Sequence, residues 1–141
     1  MEKVRPITNP QNNFVRFIKS LKKKKKRLEE GKFLLEGINS VEEALKSGIE
    51  IPYFIYSLDL FRVKGGQELF DTLEKNGSRL ILVAEKIFNK LADTQNPQGI
   101  LAVPSRIDWD ASELYSLECS FVLVLDGIQD PGNMGTIVRL A

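Results

Sequence analysis

The chain of 141 residues has no histidine and one cysteine, Cys119, and none of its apolar runs exceeds five residues. Each shortage removes a class of function. Without histidine there is no Ser-His-Asp or Cys-His nucleophile system and no imidazole ligand for a metal. A single cysteine builds neither an internal disulfide nor a thiolate-only zinc site. A membrane-spanning helix needs about 18 or more consecutive apolar residues, several times the longest run here. The N-terminus carries Glu2, Lys3, Arg5 and Pro6 and no apolar segment of the secretory type. These features point to a reducing cytoplasm, with Cys119 expected as a small buried hydrophobe beside a strand. Any catalysis must rest on other residue types.

Charge is present in quantity and is segregated. The 20 Lys+Arg and 19 Asp+Glu give a formal net charge of only +1. Residues 1–32 nevertheless hold eleven Lys/Arg against three acids, a net of +8, and residues 33–141 hold nine against sixteen, a net of −7. Such asymmetry points to a polyanionic partner for the basic end. The cations fall on a predicted helix over 9–31, with Asn9 as cap, Pro10 in the first turn and Gly31 at the stop. Phe14, Phe17, Ile18 and Leu21 share one face. Lys22, Lys23, Lys24, Lys25, Lys26 and Arg27 then surround the helix, and Lys25 lands in the apolar stripe. The first half is therefore expected to dock and the second to project into solvent. Together with Arg16 and Lys19, and with Arg5 in the same segment, these cations are candidate RNA or DNA contacts. The alternative is a solvated lysine run that aids solubility.

Short strands and helices alternate over the next stretch. Strands are predicted at 32–36, 53–56, 80–83 and 99–103. Helices are predicted at 40–48, opened by a Ser40…Glu43 capping box, at 67–75, closed by Asn76-Gly77, and at 85–91. This order predicts an α/β fold, a small α/β/α sandwich over 32–105. Residues 1–31 form the basic helix, 106–118 a linker, and 119–141 the start of a second unit. There, 121–125 reads as a strand buried on both faces, followed by a turn at Asp126-Gly127 and a helix over 134–141. One strand and part of one helix make no core. The chain is therefore expected to be a piece of a longer protein; the rival is that 121–125 joins the first sheet.

The stretch LDGIQDPGNMGTIVRLA (125–141) carries the chemistry. Strand, tight turn and helix N-terminus form a ligand-binding geometry in α/β proteins. Asn133 suits the helix cap, and Gly135 leaves a gap over which Arg139, one turn on, can lean back. Guanidinium and helix N-terminus would then converge on a phosphate. Neither the phosphate-loop lysine nor the dinucleotide glycine spacing is present.

This stretch resembles the first signature motif of the SpoU (TrmH-type) RNA 2′-O-ribose methyltransferases, N-x-G-x-x-x-R, at Asn133, Gly135 and Arg139. FLLEGINSVEEAL (33–45) and NPQGILAV (96–103) resemble the opening and final strands of the accessory domain of that family. The resemblance implies a ribosomal-protein-like substrate-binding domain followed by a trefoil-knot (SPOUT-type) catalytic domain that uses S-adenosylmethionine and forms a homodimer. Arg139 and Asn133 would be its catalytic residues, and Gly135, Glu36 and Gly37 structural members of the motifs. The second and third family motifs, which supply the cofactor pocket and the knot, do not occur here. No cofactor is therefore expected on this chain alone, and no metal. The implied substrate is RNA, with ribosomal RNA ahead of transfer RNA. Alternatives are a non-enzymatic RNA-binding module and a nucleotide-binding α/β enzyme using the loop 126–135.

Overall fold

In the computed structural model, which describes residues 5–110, 112 and 122–141, the chain divides into two units, Met1–Ile107 and Asp108–Ala141. The first unit contains α1 (Asn13–Ser20), α2 (Lys24–Glu30), β1 (Leu35–Glu36), α3 (Ile38–Lys46), β2 (Tyr53–Tyr56), α4 (Gly66–Lys75), β3 (Leu80–Leu82), α5 (Glu85–Leu91) and β4 (Ile100–Val103). The second contains α6 (Pro131–Leu140). No described helix is long and apolar enough to cross a membrane.

The four strands form one sheet in the order β1-β4-β2-β3. β2 and β3 run parallel; β4 pairs antiparallel with both β1 and β2. Side chains alternate across the sheet as the strand period requires. Ile55, Leu101 and Val103 enter one core with Val15 and Ile18 of α1 and Ile87, Phe88 and Leu91 of α5. Phe54, Tyr56, Ile100 and Ala102 enter the other with Val41 of α3 and Leu69 and Leu73 of α4. The sandwich is thus helix layer, sheet, helix layer. β2, β3, β4 and helix α5 lie close to where the sequence pattern puts them, while β1 keeps only Leu35–Glu36 of the expected 32–36.

The basic helix departs from expectation. It does not run unbroken over 9–31, and Asn9 does not cap it. Asn9 Oδ1 instead accepts from Gln11 N–H in a preceding turn, and Asn12 Oδ1 caps α1 by accepting from Phe14 N–H at 2.8 Å. The helix breaks after Leu21, and Lys23 is extended. An unbroken helix would turn Lys25 into the stripe that seats Ile18 and Leu21, both buried. The break removes that conflict and leaves Lys25 in solvent. Carbonyls freed at the break are recaptured: Arg27 Nη1 donates to Leu21 O at 3.1 Å and to Lys22 O at 2.7 Å. Burying Val15, Ile18 and Leu21 contributes roughly 1.5–3 kcal/mol each, which outweighs the weak intrinsic stability of an eight-residue helix. As expected, the first half docks, and α2 buries none of its residues.

Two further boundaries move. α3 begins at Ile38, ahead of the Ser40 capping box, because its first free N–H is capped from elsewhere: Ile38 N–H donates to Gln98 Oε1 at 2.9 Å. Residues 122–125 form no strand and are exposed, and the described sheet does not include them. Cys119 and Phe121 lie outside the described residues.

β4 enters the sheet through Gly99, at φ +75°, where an added Cβ would lie 2.4 Å from Leu60 N. Gly99→Ala therefore combines a left-handed backbone with a backbone clash. The expected loss is about 3 kcal/mol of unfolding free energy by urea denaturation; a variant within 0.5 kcal/mol of wild type would refute this account of the turn.

Candidate RNA-binding and catalytic sites

The two accessory-domain stretches singled out in the sequence meet in space. Glu36, at the end of β1, accepts hydrogen bonds from Asp93 N–H at 2.7 Å, from Thr94 N–H at 3.3 Å and from the Thr94 hydroxyl. Gly37 follows at φ +93°, where an added Cβ would stand 2.9 Å from Gln98 Oε1. Its N–H donates to Ile100 O at 3.2 Å, tying the segment to β4. The same loop is held from another side. Lys22 Nζ donates to Ala92 O at 2.9 Å and pairs with Asp93 at 2.8 Å. Glu36, Gly37 and Lys22 thus fix residues 92–98. Gln98, which the sequence places at the end of a strand, also caps α3, and Asp93 has no sequence signal for its part, since Glu36 lies 57 residues away.

The cations gather on the helix layer formed by α1 and α5. A groove of about 910 Å³ runs between α1, α2 and α5, with Arg16, Lys19, Lys23 and Lys25 on its walls. Lys90 of α5, which the sequence does not single out, lines it as well. Its cations are not equivalent. Lys26 pairs with Glu29 at 2.7 Å, and that hydrogen bond and charge raise the Lys26 ammonium above its ordinary pKa. Lys25 reaches the same Glu29 at 3.8 Å. Lys22 and Arg27 are engaged as described above. Lys24 lies with Lys32 and Phe33 in a second, smaller hollow across α2. Arg5 is exposed and outside both hollows.

In the second unit, Asn133, Gly135 and Arg139 lie on the single helix α6. The cap is Asp130, not Asn133: its carboxylate accepts from Gly132 N–H at 3.1 Å and from Asn133 N–H at 3.2 Å. Pro131 then fits the first turn, where no N–H is needed. The helix accordingly starts three residues before the expected 134. Arg139 falls in its last turn, about 12 Å of helical rise from Pro131. Guanidinium and helix N-terminus therefore do not converge within this unit. Gly135 does leave open space, with nothing within 4 Å of an added Cβ. Among the described residues, no cluster of metal-ligating side chains occurs.

Replacing Glu36 by Gln removes one acceptor oxygen from the loop. Glu36→Gln is expected to lose about 1–2 kcal/mol of stability and to speed amide exchange at Asp93 and Thr94. Unchanged protection at both amides would show that the carboxylate does not hold them.

Residues 12–102 match the family described as the MRM3-like substrate binding domain. Among curated proteins, the chain is 33% identical over 138 residues to the 23S rRNA (guanosine(2553)-2′-O)-methyltransferase RlmP of Bacillus subtilis, covering 98% of this chain and 50% of that protein. It is 32% identical over 136 residues to a tRNA/rRNA methyltransferase of Synechocystis, covering 96% of this chain and 48% of that protein. A solved RNA 2′-O ribose methyltransferase shares the fold with a TM-score of 0.72 at 24% identity, over 96% of this chain and 50% of that one. The chain spans about half the length of these relatives. With its domain matched over 12–102, and with Asn133, Gly135 and Arg139 spaced as in the first signature motif, the chain belongs to the SpoU (TrmH-type) RNA 2′-O-methyltransferase family.

Proposed function

We propose that this chain is the substrate-binding domain and first catalytic motif of an S-adenosylmethionine-dependent methyltransferase that modifies a ribose 2′-hydroxyl of ribosomal RNA. The observation that carries the reading is the joint presence, in one chain, of the family's binding domain over 12–102 and of Asn133, Gly135 and Arg139 on one helix. The enzyme works in the cytoplasm as a homodimer assembled through sequence other than these residues.

S-adenosylmethionine needs a concave, largely apolar pocket for its adenosine. Residues 122–130 are exposed, and α6 buries none of its side chains. The described residues of this unit do not fit the cofactor, and its site belongs to sequence outside them. What this chain offers the reaction is Arg139. A guanidinium keeps its proton, so it is a poor base. Its five donors suit a phosphate beside the target ribose and the oxyanion that develops as the 2′-hydroxyl loses its proton. Gly135 keeps the helix surface one turn before Arg139 free of side chain, so nucleic acid can approach. Asn133, in the first turn of α6, offers an amide to the neighbouring backbone.

The exposed second unit also favours a narrower reading for the 141 residues alone, as an RNA-binding module without methyl transfer. One experiment separates the two. Methyl transfer from radiolabelled S-adenosylmethionine to ribosomal RNA is measured for the full-length enzyme, its Arg139→Ala variant and the 141-residue chain. The expected pattern is activity in the full-length protein and a loss of 100-fold or more in Arg139→Ala, with cofactor affinity within about threefold of wild type. The 141-residue chain should bind RNA and transfer nothing. Wild-type turnover in Arg139→Ala would overturn the role given to that residue.

A further inference from the structure

The groove between α1, α2 and α5 has a lining that limits what it can hold. Seven Lys/Arg side chains face it against a single acid, Glu29. Its floor is aliphatic, from Val15, Ile87 and Leu91, all nearly buried. No aromatic ring lines it, so there is no stacking platform for a base, and Gln11 supplies its one side-chain amide. Such a surface reads charge and not sequence.

Intramolecular pairing divides the cations further. Lys22 is held by Asp93 and Ala92, and Lys25 and Lys26 by Glu29. Among the described residues, Arg16, Lys19, Lys23 and Lys90 show no ion pair. They come from three different places, α1, the α1–α2 break and α5, so their spacing is set by the packing of α1 on α5. A lysine run that served solubility alone would not need a partner helix to contribute a cation to the same hollow.

We infer that this groove holds the sugar-phosphate backbone of a single RNA strand, with Arg16, Lys19, Lys23 and Lys90 as its phosphate contacts and Lys22, Lys25 and Lys26 as structural cations. The inference rests on RNA being the substrate and assigns where and how the strand is gripped. Lys22, held at Ala92 and Asp93, serves the fold first. Affinity from the groove is independent of base identity and dependent on salt.

The test uses the 141-residue chain and oligouridylate and oligoadenylate of 20 nucleotides, with affinity measured by fluorescence anisotropy across salt concentrations. Each phosphate contact to a single strand contributes about 0.7 to the slope of log affinity against log salt. Arg16→Gln/Lys90→Gln is expected to flatten the slope by about 1.4 and to weaken binding about tenfold at 0.15 M salt, equally for both oligomers. Lys46→Gln/Lys75→Gln, on the helices of the opposite layer, serves as a control of equal charge and should leave the slope unchanged. If both double variants flatten the slope equally, the groove is no special site and the inference fails while RNA binding stands. A slope unchanged in Arg16→Gln/Lys90→Gln overturns it in the same way. A wild-type chain that binds neither oligomer overturns both the inference and the RNA-binding reading beneath it.

Discussion

The strand Ile100–Val103 is the element on which the rest of the first unit depends. All four of its residues are buried to within 1% of full exclusion, and it pairs antiparallel on both sides, with β1 and with β2. Its side chains alternate between the two cores, Leu101 and Val103 with α1 and α5, Ile100 and Ala102 with α3 and α4. Two helix layers on opposite faces of the sheet are thereby coupled through four residues. The entry to this strand is equally constrained. Gly99 passes against the backbone of Leu60, and Gln98, one residue earlier, caps α3. A shift of the strand by one residue would exchange the two cores and release the α3 cap together.

The same dependence explains why the accessory-domain stretches FLLEG and NPQG read as motifs. Glu36 and Gly37 stand where β1 gives way to α3, and Gln98 and Gly99 stand where the loop gives way to β4. Each supplies what the other lacks: Gly37 the space for the Gln98 amide, Gln98 the acceptor for Ile38 N–H, Glu36 three hydrogen bonds to a loop otherwise without regular structure. These residues are bound up in making the fold. As motifs they therefore mark the geometry of a junction, and the candidate ligand contacts lie elsewhere, on the face of α1 and α5.

How much was legible in the sequence follows from where each determinant lies. Strands 53–56 and 80–82 and helix α5 are written in local alternation and helical spacing, and they appear in place. The layered α/β order was legible for the same reason. The break in the basic helix was not, because it is stabilised by Arg27 reaching back five and six residues and by Lys22 reaching forward to residues 92 and 93. The early start of α3 depends on Gln98, distant in sequence. At 121–125 an apolar run suggested a buried strand, but composition supplies no ladder partner, and the described part lies exposed. In α6 the motif spacing is legible, while the cap falls to Asp130 and not Asn133, because Asp130 precedes a proline suited to the first helical turn.

The missing histidine, with which the sequence departs from so many enzymes, acquires a physical consequence at the sites. Every candidate nucleic-acid contact is a lysine or an arginine, and the proposed reacting residue is Arg139. The response of such a surface is to ionic strength, which screens exposed charges within about 8–10 Å at physiological salt. Phosphate contacts of this kind position a strand without choosing a nucleotide. Under the proposed function, selection of the ribose would therefore fall to contacts other than the groove, and Arg139 would stabilise the oxygen once it is chosen, not identify it.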